Sequence, residues 1–140
     1  VKEASGSLDQ MSQIKFLCGP DFDLISGDDS LTLPLLAVGG VGVISVVANL
    51  VPRDVQEMID KFKKGDIKAA AEQHYKLLPL MKAMFIETNP VPIKTAMYML
   101  GMIELWLRLP LCEMKPENME KLRRAVLNYG LREDYWKGDK

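Results

Sequence analysis

The stretch Leu24–Val47, LISGDDSLTLPLLAVGGVGVISVV, decides the fold. An apolar run ends at Ser26-Gly27-Asp28-Asp29, a short helix-forming segment follows, and a second apolar run begins at Gly42. Strand, helix and strand joined by connections this short imply parallel strands with a right-handed crossover. Phe22–Ser26 is therefore expected to be one strand and Gly42–Val47 another. The second run is apolar at both parities, as a parallel strand covered on both faces should be. Pro34 lacks a backbone donor, so the helix between them must begin late or turn tightly there. The Gly39-Gly40 pair closes a helix and opens a strand. A dinucleotide-binding glycine loop has the opposite order, so no nucleotide site is read from this one.

Upstream, Val1–Ser5 reads as a further strand. Ser7 and Gln10 fit a capping box, and Leu8, Met11, Ile14 and Leu17 then recur at helical spacing until Cys18-Gly19-Pro20 stops the helix. Downstream the texture becomes helical. One helix is expected from Pro52 to Lys64, with Gly65 past its end, and a longer one from an Asp66 cap to Phe85, bent at Pro79. Another opens at Asn89-Pro90 and closes at Gly101, and a last one runs from Lys115-Pro116 to Tyr129-Gly130. The polar tail LREDYWKGDK is expected to fray, with Trp136 as a docking residue. The change of texture divides the chain into an α/β part, residues 1–65, and a helical part, residues 66–140.

The chain has 140 residues, 48% of them apolar and 26% charged, which is a globular composition. Eighteen basic residues against 19 acids leave a net charge of −1, which argues against a nucleic-acid or anionic-membrane surface. Cys18 and Cys112 stand far apart and outside any ligand spacing, so both are expected to be reduced, partly buried thiols of a cytosolic-type protein. Apolar runs stay below the roughly 20 residues of a membrane span. Three parallel strands in sequence order would leave bare edges, which invite aggregation, and a (β/α)8 barrel typically takes ~250 residues. The expectation is a fragment of a larger fold, poorly soluble and without turnover when expressed by itself.

VKEASGS at the start, LISGDDSLTLPLLAVGGVGVISVVANLVPRDVQEM in the middle and FIETNPVPIKTAMYMLG further on together resemble the C-terminal half of the 4-hydroxy-tetrahydrodipicolinate synthase family. This is a branch of the pyruvate-dependent, Schiff-base-forming aldolases and lyases. KEASG followed by SGDD and GGVGVISV is specific in combination and modest in any one piece. Ser5, where the family usually has threonine, keeps the hydroxyl. The resemblance implies an α/β fold made of the last three βα units of a (β/α)8 TIM barrel, followed by a small all-α C-terminal domain. It also implies condensation of pyruvate with aspartate semialdehyde in lysine (diaminopimelate) biosynthesis by a cytoplasmic homotetramer, with no metal or nucleotide cofactor. Partners of this chain would be the two substrates and the missing N-terminal half of the barrel. Competing readings are a sister lyase, such as N-acetylneuraminate lyase or a keto-deoxy-sugar-acid aldolase, and a non-catalytic assembly module.

Barrel active sites lie where strands end on the C-terminal face. Desolvation disfavours an ammonium ion, so an inward Lys2 would present a free amine able to attack an α-keto acid. The resemblance identifies Lys2 as the Schiff-base residue. Glu3 alternates to the opposite face, where a structural ion pair is its expected job. Gly27 suits either close approach of backbone to ligand or a strand-ending turn. The resemblance makes the Gly27-Asp28 peptide and the Ile44 main chain substrate contacts. Asp29 and Ser30 compete as helix caps. Asn89 matches a family asparagine near the active site, and an N-cap ahead of Pro90 explains it equally well. His74 falls on an apolar stripe with Ile67, Ala71, Leu78, Met81 and Phe85, which points to packing. Met81, Met84, Met97, Met99 and Met102 read as core or subunit-contact filler. The tyrosines, Tyr75, Tyr98, Tyr129 and Tyr135, all fall outside the strands, so the proton shuttle of a Schiff-base condensation would come from elsewhere.

Overall fold

A computed structural model describes residues 1–132. Tyr135 and Trp136, and with them the expected fraying of the tail, lie outside the described residues. The chain divides into two compact units, Val1–Lys76 and Leu77–Lys140.

The first unit carries β1 (Lys2–Glu3), α1 (Leu8–Cys18), β2 (Ile25–Ser26), a 3-10 turn at Asp29–Leu31, α2 (Thr32–Ala37) and β3 (Gly42–Val43). A second 3-10 turn at Val47–Asn49 leads into α3 (Pro52–Lys63) and then α4 (Ile67–Ala83). The strands form one parallel sheet in the order β1-β2-β3. Lys2 pairs with Ile25 and Ile25 with Gly42, while Glu3 pairs with Ser26 and Ser26 with Val43. The order and direction agree with the strand–helix–strand reading, but all three strands are shorter than expected, β1 included. Phe22 and Asp23 stay exposed, and beyond Ile44 the chain turns away into the 3-10 segment.

Met11 of α1, Leu24 and Leu35 of α2 bury completely and form the core between sheet and helices, with Ile14, Leu31 and Val38 around them. Ser7 caps α1 by accepting from the Gln10 amide at 3.2 Å. The expected reciprocal bond is replaced, because the Gln10 side chain donates to Glu3 and the Ser7 amide to the Ser5 hydroxyl. Lys15 closes the other end of α1, its Nζ donating to the carbonyls of Pro20 and Phe22 at 2.8 and 3.0 Å. Pro34 sits in the first turn of α2, where its missing donor costs no helical bond. After α2 the chain doubles back so tightly that a side chain at Gly40 would lie 1.6 Å from Leu35.

On α4 the buried stripe is Ala70, Gln73, Leu77, Leu80, Met81 and Ala83. The expected stripe is out of phase with it: Ile67 and Phe85 are about half exposed, at 53% and 47%. The shift brings Gln73 inward, where its amide donates to the Asp54 side chain at 2.9 Å and so satisfies a buried polar group. Lys76 adds an ion pair to the same carboxylate at 3.1 Å. His74 sits at the stripe's edge, half-buried, with Nδ1 enclosed and unbonded among the described residues. Burial holds its pKa below the usual imidazole value.

In the second unit α5 (Val91–Met99) and α6 (Pro116–Tyr129) pack together. Glu87 supplies the cap that α6 lacks, accepting from the Lys115 amide and the Asn118 side chain at 3.0 and 2.8 Å. Gly130 ends α6 in the left-handed conformation at φ 96°, which a glycine adopts without steric cost. Met84 and Met99 are buried, whereas Met102 is half exposed. No described helix is long and apolar enough to cross a membrane.

Met11→Ala should destabilise the fold by about 2–5 kcal/mol and Met11→Leu by less than about 1.5 kcal/mol, measured by urea unfolding. A histidine whose folded pKa is lowered contributes its full stability above the unfolded value near ~6.5, and loses it as pH falls through the folded value. His74→Gln should therefore lose less thermal stability than the parent between about pH 7.5 and 5.5.

Candidate active site

Alternation along the strands gives the sheet two unlike faces. Glu3, Ser26 and Leu24 point toward the helices and are buried. Lys2, Ala4, Ile25, Gly27, Gly42 and Ile44 share the other face, where none is buried. Ile44 is 53% exposed there. The expectation of a third strand covered on both faces is corrected: among the described residues only one face is packed. Lys2 is likewise exposed, so the described residues do not supply the desolvation expected around its amine. Its Nζ makes no hydrogen bond or ion pair with the described residues.

The Lys2 side chain leans across β2. A Cβ at Gly27 would stand 2.5 Å from the Cβ of Ala4, 3.0 Å from Cε of Lys2 and 3.1 Å from the Glu3 carbonyl. Gly27 thus has a reason that neither sequence reading named, since the missing side chain lets β1 and the lysine stem close over the end of β2. Its amide continues the ladder, donating to the Glu3 carbonyl at 2.7 Å. With strands about 4.8 Å apart, the lysine stem covers the first of the two steps from β1 to β3, just beyond which Ile44 lies.

Behind the sheet, Glu3 is 6% exposed and accepts from the Ser5 amide at 2.7 Å, the Ser5 hydroxyl at 3.0 Å and the Gln10 amide group at 3.3 Å. The expected ion pair is corrected to a set of neutral donors. These satisfy a buried carboxylate without burying a second charge, which would add its own desolvation cost. They also pin the loop after β1, immediately downstream of Lys2.

Asp29 shows the widest departure from expectation. Neither it nor Ser30 occupies a cap position: these are Asp28 for the 3-10 turn and Leu31 for α2, both without a side-chain cap bond. The Asp29 carboxylate instead reaches across to β3, with Oδ2 accepting from the amides of Val46 and Val47 at 3.1 and 2.9 Å. Those bonds turn the chain after Ile44 and account for the early end of β3. Among the described residues Oδ1 is buried without a partner, an arrangement that costs about 1–3 kcal/mol. The signal in the sequence was the doubled Asp28-Asp29, too common to assign without a partner. Ser26, fully buried, binds the Asp28 amide at 3.2 Å and the Asp28 carbonyl at 2.7 Å, and so shapes the Gly27-Asp28 peptide.

Asn89 belongs to the second unit. It is exposed and precedes Pro90, the residue at the N-cap of α5, so the reading of Asn89 as cap is corrected. Thr88 and Pro90 carbonyls take the Val91 and Lys94 amides, and Pro92 has none to offer, which leaves little for a side-chain cap. Cys18 and Cys112 are free, and the expected partial burial is corrected, since both are exposed. Among the described residues no three His, Cys, Asp or Glu side chains gather as a metal set.

Against this geometry, a model of the dihydrodipicolinate synthetase family matches residues 1–128. The chain is 60% identical over 131 residues to a 4-hydroxy-tetrahydrodipicolinate synthase of Endomicrobium trichonymphae, an alignment spanning 94% of this chain and 45% of the relative. It superposes on the crystal structure of dihydrodipicolinate synthase from Aquifex aeolicus with a TM-score of 0.91 at 50% identity, over 98% of this chain and 46% of the other. The Acinetobacter baumannii enzyme, solved with pyruvate, gives a TM-score of 0.88 at 30% identity, over 94% of this chain and 45% of the other. The chain belongs to the dihydrodipicolinate synthetase family, and spans about half the length of the curated relatives it matches.

Gly27→Ala should destabilise the sheet by about 1–3 kcal/mol, because the added methyl meets Ala4 and the lysine stem rather than open space. Adding Ala4→Gly should return part of that loss in denaturant unfolding, leaving the contacts to Lys2 and the Glu3 carbonyl.

Proposed function

We propose that this member of the dihydrodipicolinate synthetase family supplies the lysine-bearing part of a 4-hydroxy-tetrahydrodipicolinate synthase. Such an enzyme condenses pyruvate with aspartate semialdehyde in lysine (diaminopimelate) biosynthesis. The carrying observation is Lys2 itself, the first residue of β1, extended over Gly27 on the same sheet face as Ile44. Residues 1–65 would form the last three βα units of a (β/α)8 barrel and residues 66–140 a helical domain. The complex of the Acinetobacter baumannii enzyme with pyruvate supports the choice of keto acid.

In this reading the open face bearing Lys2, Ile25 and Ile44 becomes the barrel interior once the remaining staves surround it. Enclosure strips water from the amine and favours its neutral form. The nitrogen lone pair then adds to the C2 carbonyl of pyruvate, and the carbonyl oxygen, doubly protonated, departs as water. The resulting iminium acidifies C3. Loss of a C3 proton gives an enamine, whose C3 forms a bond to the aldehyde carbon while the aldehyde oxygen takes up a proton. The imine is covalent to the protein, so this sequence of steps calls on no metal or nucleotide.

Gly27, Asp28 and Ile44 would meet the substrate through their backbone. Proton transfer needs a group within hydrogen-bond reach of the reacting carbons. Tyr75, Tyr98 and Tyr129 are on α4, α5 and α6 rather than at strand ends, so the shuttle and the grip on the aldehyde substrate are assigned to other strands. The complete enzyme is read as a cytoplasmic homotetramer.

Treating the complete protein with pyruvate and borohydride should add a reduced pyruvyl group to the peptide carrying Lys2, read by mass spectrometry; an unmodified peptide refutes the assignment. Lys2→Ala should abolish both the adduct and condensation. Residues 1–140 expressed by themselves should show no turnover.

A further inference from the structure

We propose that Asp29 is a positioning residue that ties together the two backbone segments assigned to the substrate, Gly27-Asp28 after β2 and Ile44 after β3. This deepens, and rests on, the Schiff-base reading above. The carboxylate is 2% exposed and lies one residue beyond the Gly27-Asp28 peptide. Through Oδ2 it holds the amides two and three residues beyond Ile44, at 3.1 and 2.9 Å. Bonds from an ionised acceptor to backbone amides are among the stronger ones available to a protein, and burial strengthens them further.

The bonding around Ile44 gives that clamp its consequence. The Ile44 amide donates to the Ser26 carbonyl at 2.9 Å, the last rung of the β2–β3 ladder. A parallel ladder would continue with the Asp28 amide donating to the Ile44 carbonyl. That amide bonds instead to the Ser26 hydroxyl at 3.2 Å, and the Ile44 carbonyl accepts no hydrogen bond from the described residues. Ile44 is thus anchored ahead by Ser26 and behind by Asp29, while its own carbonyl is left unspent at the open end of the sheet. A fixed, unspent dipole at a reacting centre needs no reorganisation when charge changes there, which is how preorganised groups assist a reaction. Asp29 itself is buried on the way to the turn, so it acts through Val46 and Val47 and not by touching substrate.

The test compares Asp29→Ala and Asp29→Asn in the complete protein by amide hydrogen exchange at Val46 and Val47, pyruvate kinetics and borohydride trapping. Asp29→Ala should speed exchange at both amides by about tenfold or more and lower kcat, while Lys2 still traps pyruvate. Asp29→Asn keeps an acceptor oxygen without the charge and should fall between the two on both readouts. Leu122→Ala, which opens a cavity under α6 of the second unit, should leave kcat per folded molecule unchanged, separating positioning from general loss of stability. Unchanged exchange in Asp29→Ala overturns the clamp, and faster exchange with unchanged kcat overturns its role in the reaction. If Asp29→Ala does not fold, Asp29→Asn decides: movement of both readouts supports the proposal and movement of neither overturns it. Failure of the parent to trap pyruvate would instead sink the functional reading and, with it, the catalytic half of this proposal, while exchange at Val46 and Val47 would still judge the clamp.

Discussion

Strand β1 contributes two residues to the sheet, and their opposite orientation separates a buried carboxylate from an exposed amine. Glu3 faces the helices, where Ser5 and Gln10 fill its acceptor positions. Lys2 faces away, over a glycine that leaves it room. A shift of one residue in register would exchange them, placing an ammonium group against Met11 and Leu24 and a carboxylate on the open face. The parallel pairing of Lys2 with Ile25 and Glu3 with Ser26 therefore decides the chemistry of each face, and the apolar core holds it in place.

Short strands make this arrangement dependent on side chains that take over where the ladder stops. Ser26 occupies the amide that would extend the β2–β3 pairing, and Asp29 occupies those of Val46 and Val47, two and three residues beyond Ile44. Each is a buried polar group, and such groups are tolerated only when bonded. Their partners here are backbone amides at the ends of strands. The orphaned Oδ1 of Asp29 shows that the turn after β3 is held at a cost in stability.

Much of this was legible without coordinates. The order of strands, their parallel direction, the caps at Ser7 and Asp66, and the helix ends at Gly65, Gly101 and Gly130 follow from local chemistry and periodicity, and each is found. The phase of α4 was misread because Ile67 and Phe85 look like core residues, whereas burial of Gln73 is stabilised by Asp54, distant in sequence. Asn89 looked like a cap because asparagine before a proline-rich helix start usually is one, yet the carbonyls of Thr88 and Pro90 already take the nearby amides.

Residue type, spacing and the texts KEASG, SGDD and GGVGVISV were enough for the α/β class and the family, and they point to Lys2 as the amine to test. What surrounds that amine emerged from the folded chain alone. The closeness of Ala4 and Lys2 to Gly27, the neutral donors around Glu3 and the reach of Asp29 to Val46 and Val47 join residues far apart in sequence or on different strands. Hydrogen bonding and steric exclusion act through space, and a one-dimensional pattern carries no record of which distant groups they bring together.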